Sequence, residues 1–253
     1  MTSEGVDFSA EAAGFFQEHG YLGPYAVLDD AECALLERIL RAEFARRGFS
    51  PLRDGRNRHL DLKPLADLCR RPVIRQCASA ILGPNLLLWR TQVFLQGAER
   101  ALPWHQDTYT TLLDSPGTNV SIHVAISAPS ESNCLSIIPG SHRLKPESFG
   151  LKLKSEVTAY GNQRFIEVGK PAARNMLLKP GEFFLFASGL IHRTTYSPEV
   201  GREPRLAIAL RITTPDVRVR PEAFAELPAA NHRAVLLSGE DNYRLNQLGR
   251  WAQ

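Results

Sequence analysis

Residues 205–212 read RLAIALRI, with Leu206, Ile208, Leu210 and Ile212 alternating against Arg205, Ala207, Ala209 and Arg211. Period two marks an extended strand, because successive side chains point to opposite faces. One face is aliphatic. The other is small in the middle and cationic at both ends. Either this second face is solvated, or Ala207 and Ala209 leave room inside a barrel into which arginine reaches. The alternation leaves both open.

Strand patterns continue upstream. Residues 86–96 place Arg90, Gln92, Phe94 and Gln96 on one face, residues 120–126 alternate, and residues 183–187 follow the turn Lys179-Pro180-Gly181-Glu182. The first third reads differently. Residues 10–19 form a short amphipathic helix closed by Gly20, and residues 21–28 a strand. Asp29-Asp30 opens a helix to about residue 47, with Cys33, Leu36, Ile39, Leu40 and Phe44 at helical spacing. A further helix starts at Pro72 and stops before Gly83-Pro84. Residues 48–58, polar and rich in Arg and Gly, predict a mobile loop or lid. Residues 141–170 show no clear pattern and predict a long insertion near a barrel mouth. Helices followed by strands predict a mainly β, α+β domain, a jelly-roll barrel buttressed by N-terminal helices. In one domain spanning residues 1–253, residues 1–84 supply the buttress and lid loop, 85–215 the core and 216–253 a C-terminal extension.

The chemistry gathers at His105-Gln106-Asp107. On a strand His105 and Asp107 share a side, and His192, from a second strand end, completes two imidazoles and a carboxylate. That face suits non-haem Fe(II) and leaves coordination positions open. Any one of the three taken alone reads as an ordinary hydrogen-bonded polar residue. Zinc hydrolases use similar ligands, but the chain has no HExxH helix and no evident general base beside the site. Three protein ligands do not provide the electrons that dioxygen activation needs. A chelating 2-oxo acid does, and its far carboxylate needs a fixed cation. Arg205, with a planar fork, fits that task.

Bulk properties narrow the classes. A hydrophobic fraction of 43% with 23% charged residues is ordinary for a globular chain of this length. A net charge of +3 is too small to point to nucleic acid or an acidic membrane. No apolar run approaches ~18 residues, and residues 1–10 lack an export segment. Cys33, Cys69, Cys77 and Cys134 show no CxxC pairing, so reduced thiols in a cytoplasmic protein are expected.

Taken in order, LLLWRTQVFLQ, PWHQDTY, SNCLSIIPGSHR, KPGEFFLFASGLIHRTT and PRLAIALRI resemble the phytanoyl-CoA dioxygenase family of Fe(II)/2-oxoglutarate oxygenases. The likeness runs over roughly residues 8–250, and VLLSGEDNYRLN resembles the tail of members from natural-product pathways. It implies a double-stranded β-helix with His105, Asp107 and His192 as iron ligands. It implies that Arg205 binds the distal carboxylate of 2-oxoglutarate, with Gln92, Thr194 and His123 lining that pocket.

Three departures stand out: Gln96 where the family often has Lys, His123 where an aromatic is usual, and no Gly between Asn133 and Cys134. Related halogenases carry a small residue at the Asp107 position, freeing a place for chloride, so a carboxylate there implies hydroxylation rather than chlorination.

Tyr109, Arg90 and Gln96 are the substrate-facing candidates. Arg53, Arg56, Arg58 and His59 are either solvated loop charges or a cationic lid over an anionic substrate. Trp89 and Trp104 read as core, and His142 as a loop tie. The resemblance implies Fe(II), 2-oxoglutarate and dioxygen acting on a C–H bond of a small metabolite, amino-acid-like or carrier-tethered, with neither nucleic acid nor membrane as partner. Desaturation, cyclisation or epimerisation would share every ligand. A non-catalytic jelly-roll binding protein is the reading from another class.

Overall fold

Local chemistry decides where the helices begin. Asp29 caps the helix Asp30–Phe44 (α2): its carboxylate accepts the Glu32 N–H at 2.8 Å, and the Glu32 carboxylate accepts the Asp29 N–H at 3.0 Å. Ala10–His19 (α1) is closed by Gly20, which adopts φ 78°. Pro72–Leu82 (α4) starts at its proline. A seven-residue helix, Lys63–Cys69 (α3), was not anticipated. The helix from Asp30 ends at Phe44 rather than near residue 47.

The computed structural model describes residues 8, 10–46, 54–96, 102–107, 109, 112–115, 118–131, 133–143, 152–158, 161–167, 172–194, 205–220 and 233–253, with backbone alone for 96, 152–158 and 161–167. Its strands are β1 Tyr21–Ala26, β2 Leu86–Gln96, β3 Leu102–Asp107, β4 Asn119–Ala125, β5 Leu135–Ile137 and β6 Lys152–Thr158. They continue with β7 Gly161–Glu167, β8 Arg174–Met176, β9 Glu182–Ala187, β10 His192–Thr194, β11 Arg205–Thr213 and β12 Val235–Ser238.

Two antiparallel six-stranded sheets result, in the orders β1-β9-β4-β11-β2-β12 and β6-β7-β3-β10-β5-β8. The protein is therefore a mainly β jelly roll with N-terminal helices. It is not a closed barrel: among the described residues no strand pair joins one sheet to the other. Tyr21, Phe184 and Phe186 of the first sheet pack against Leu135, Ile137 and Met176 of the second. Side chains filling that gap hold the sheets ~10 Å apart, well beyond the ~4.8 Å that a hydrogen-bonded strand pair requires.

The helices cover the outer face of the first sheet. Leu36 and Leu40 of α2, Leu65 and Leu68 of α3, and Ile74 of α4 join one core with Leu206, Ile208, Leu210 and Ile212. β11 lies inside its sheet between β4 and β2. Its aliphatic face meets the helices, so its other face is turned toward the second sheet and not to water.

One expectation needs correction. Residues 54–58 are no free lid, because they are stitched to β2: Val93 N donates to Gly55 O (2.8 Å), Asn57 N to Thr91 O (2.9 Å), and Arg56 bridges Gln92. Arg58 is ion-paired with Glu43 and Asp61, both at 2.9 Å, and His59 is fully buried. A cationic lid from these two side chains is therefore excluded, and Arg53 lies outside the described residues. Residues 152–158 and 161–167, within the stretch that shows no pattern, form the antiparallel pair β6 and β7, and β7 runs beside β3. All four cysteines are free and buried. No helix among the described residues is long and apolar enough to cross a membrane.

Candidate metal centre

β3 and β10 bring two imidazoles together. His105 and His192 are register partners on adjacent antiparallel strands, with ring centroids 4.1 Å apart. Asp107 lies two residues along β3 on the same side, and its N–H donates to Ser188 O at 3.1 Å. The Asp107 carboxylate is 3.7 Å from His105 Nε2 through Oδ1 and 3.8 Å from His192 Nε2 through Oδ2. One ligand atom from each of the three residues lies within 4.8 Å of the others, and all three residues are buried.

The donor set fits a divalent ion. His105 Nδ1 is 2.8 Å from Pro103 O, and His192 Nδ1 is 2.8 Å from Leu190 O. A carbonyl only accepts, so each Nδ1 carries its ring's proton and each Nε2 presents a lone pair. Burial holds the His105 imidazole below its ordinary pKa, and burial with His105 alongside pushes His192 down to about 3. Both rings are neutral near neutral pH, as ligands must be. Burial opposes ionisation of Asp107, yet Arg211, the two imidazoles and Tyr109 hold its carboxyl below the usual carboxylate range. Two neutral imidazoles and one anionic carboxylate are the donors of an open non-haem iron face.

Two neighbours of Asp107 complete the centre. The Tyr109 hydroxyl donates to Asp107 Oδ2 at 2.7 Å, so it serves the carboxylate as well as facing the pocket. Tyr109 adopts φ 44°, a strained left-handed conformation, and packs edge-on against Trp89 at 5.1 Å. Arg211 Nη2 is 3.2 Å from the same Oδ2, and its guanidinium lies 5.6 Å from the Tyr109 ring centre. Arg211 was not among the sequence-derived candidates. Its membership of the Arg205 face was the available signal.

The cavity between the sheets has about 670 Å³ of empty space, counting its open mouth. It is lined by His105, Asp107, His192, Arg205, Thr194, Gln92, His123, Tyr109 and Arg90, together with Arg211, Phe94, Leu102, Leu135, Phe186 and Ala209. Arg205, 3% exposed, begins β11, and its Nη1 is 3.4 Å from His123 Nε2. His123 stays well below its ordinary pKa through burial and then Arg205, and it is not part of the three-residue cluster. The Gln96 backbone pairs with Arg205, and its side chain lies outside the described ones. Trp89 is fully buried with its Nε1 donating to Asn119 Oδ1 at 2.7 Å, and His142 Nε2 lies 3.2 Å from Gln17 O.

Two facing antiparallel sheets with a buried His–Asp–His cluster between them define the class: a jelly-roll oxygenase using Fe(II) and 2-oxoglutarate. The chain belongs to the phytanoyl-CoA dioxygenase (PhyH) family, whose model matches residues 16–197. Among solved structures it is similar to CytC3 with Fe(II) and alpha-ketoglutarate, at 25% identity over 96% of this chain and 94% of that one, TM-score 0.73. It also resembles the non-heme monooxygenase ThoJ in its Ni complex, at 23% identity over 95% and 89%, TM-score 0.72. The epimerase SnoN in complex with Fe3+, alpha ketoglutarate and nogalamycin RO is a third, at 18% identity over 96% and 93%, TM-score 0.65. The last two show the shared fold alone. No curated protein sequence matches the chain.

Proposed function

We propose that this oxygenase hydroxylates an unactivated C–H bond of a small metabolite or natural-product intermediate. His105, Asp107 and His192 would hold the Fe(II), and Arg205 would take the far carboxylate of 2-oxoglutarate. When bound, iron and 2-oxoglutarate supply a two-electron oxidation with dioxygen, coupled to decarboxylation of the keto acid to succinate.

The carrying observation is that the three ligand atoms cluster within 4.8 Å in the cavity that Arg205 also lines. The chain's own part is positional. Pro103 O and Leu190 O orient the imidazoles, and Tyr109 and Arg211 orient the carboxylate. Gln92, Thr194 and His123 border the cosubstrate space beside Arg205. Phe94, Leu102, Leu135 and Phe186 give the cavity apolar walls that keep water from a reactive centre. Asp107 occupies the place a halide would need, which favours hydroxylation over halogenation.

The test is succinate release across a substrate panel, with product masses recorded. Gain of one oxygen supports hydroxylation. Loss of two hydrogens, or an isomeric product, assigns desaturation, cyclisation or epimerisation at the same site. Anaerobic Fe(II) with 2-oxoglutarate should give a weak visible charge-transfer band. A mere binding protein would show none, and a zinc hydrolase would need neither dioxygen nor keto acid.

A further inference from the structure

Guanidiniums outnumber carboxylates in the cavity. Arg90, Arg205 and Arg211 line it, and Asp107 is the single carboxylate among the described lining residues. The lining histidines titrate below their ordinary range through burial and add no charge near neutral pH. A divalent ion and the two carboxylates of 2-oxoglutarate offset one another, so loading the site leaves the cationic excess in place.

That excess sits at one end. Arg90 and Arg211 are directly opposite in the β2–β11 register. Arg90 is 5% exposed, and the Arg211 side chain 13%. Like charges directly opposite across a strand pair repel, and burial removes the water that would screen them. Arg205 is six residues from Arg211 along the same strand, about 20 Å in extended chain. One dicarboxylate anchored at Arg205 leaves the other end of the cavity for a different anion. Burial above all, and then neighbouring Arg56, draw the Arg90 pKa down to about 10.

We propose that Arg90 and Arg211 form the substrate's anion subsite, so that the substrate carries a carboxylate or phosphate bound beside Asp107. This rests on the oxygenase reading above and names its substrate class. Arg211 is shared, since it also contacts Asp107. Arg90 is the specificity determinant, its planar fork matching two oxyanion oxygens.

The test uses the full chain loaded anaerobically with Fe(II) and saturating 2-oxoglutarate. The probes are phenylacetate against phenylacetamide, hexanoate against hexanamide, and phenyl phosphate. Shift of the charge-transfer band and thermal melting report binding. The acids or the phosphate should bind saturably at millimolar concentration and the amides should not. Phenyl phosphate against phenylacetate tells which oxyanion is preferred. Arg90→Gln should weaken acid binding about tenfold or more, with 2-oxoglutarate affinity unchanged, and Arg90→Lys should recover part of it. Amides binding as well as acids, or acids binding Arg90→Gln as tightly as wild type, overturns the proposal. So does acid binding that only displaces 2-oxoglutarate, or no binding up to about 50 mM. The acid–amide comparison in the wild type stands even if a variant misfolds. Absence of the charge-transfer band in the wild type would instead remove the oxygenase reading.

Discussion

Arg211 reaches the same carboxylate oxygen that accepts the Tyr109 hydroxyl: Asp107 Oδ2 lies 3.2 Å from the guanidinium and 2.7 Å from the phenol. Two donors on one oxygen leave Oδ1, on the His105 side, as the better placed metal donor. Arg211→Gln is therefore expected to weaken Co(II) or Fe(II) binding about 10–100-fold, the usual cost of losing an outer partner of a ligand. Tyr109→Phe should act in the same direction and less strongly, because the charge stays. Metal titration followed by absorbance measures both, and unchanged affinity in Arg211→Gln would discard the positioning role.

Arg205 is buried beside His123 in the cavity that the three ligand residues also line. Arg205→Ala should retain metal while its need for 2-oxoglutarate rises by at least about 30-fold, matching the ~2–5 kcal/mol lost when a buried charge pair is truncated. Titrating 2-oxoglutarate into the anaerobic iron protein reads this directly. An unaltered requirement would refute the assignment of Arg205 to the cosubstrate.

His59 predicts an acid sensitivity remote from the metal. It is fully buried, its Nδ1 is 2.9 Å from Thr91 Oγ1, and burial pushes its pKa from 6.5 down to about 3. The unfolded chain takes up this proton near pH 6.5, and the folded protein does so only near pH 3. The stability is thus intact above pH 6.5 and is lost as pH falls toward 3, by about 1.4 kcal/mol per unit. Urea unfolding at pH 7.5 and 5.5 should show a fall about 1.4 kcal/mol smaller in His59→Gln than in wild type. Equal falls would mean that His59 titrates normally in the folded state.

Gly181 adopts φ 82°, and a Cβ there would run into the Leu28 carbonyl oxygen. Its own carbonyl accepts Val27 N–H at 2.8 Å, and its N–H donates to Ala125 O at 2.8 Å, so the turn before β9 has little freedom to move. Gly181→Ala is expected to lower stability by about 2 kcal/mol and the melting temperature by several degrees. An unshifted melt would show that the turn relaxes.

Legibility followed the length and location of each element. α1, α4 and β11 carry enough residues for a period to show, and their limits were read to within a residue or two. β5, β8 and β10 have three residues each, too few to show alternation. β6 is an edge strand with Lys152 and Lys154, a composition that protects an edge and reads as loop. Residues 55–57 read as loop because no side-chain period marks the backbone bonds that Gly55 and Asn57 make to β2. Tyr109 was noticed as a neighbour of Asp107, yet its direction depends on a positive φ that nothing in its side chain announces.

By itself the amino-acid order determined whatever depends on near neighbours: the alternating strands, the capped helices, and His105 and Asp107 on one side of β3. Only the tertiary structure decided that His192 stands opposite His105, that the cationic face of β11 looks inward, and that Arg90 meets Arg211. These rest on register between strands distant in the chain, where a slip of one residue would turn every side chain to the other face. Burial by the helices on one side and the second sheet on the other selects that register, and no local pattern encodes it.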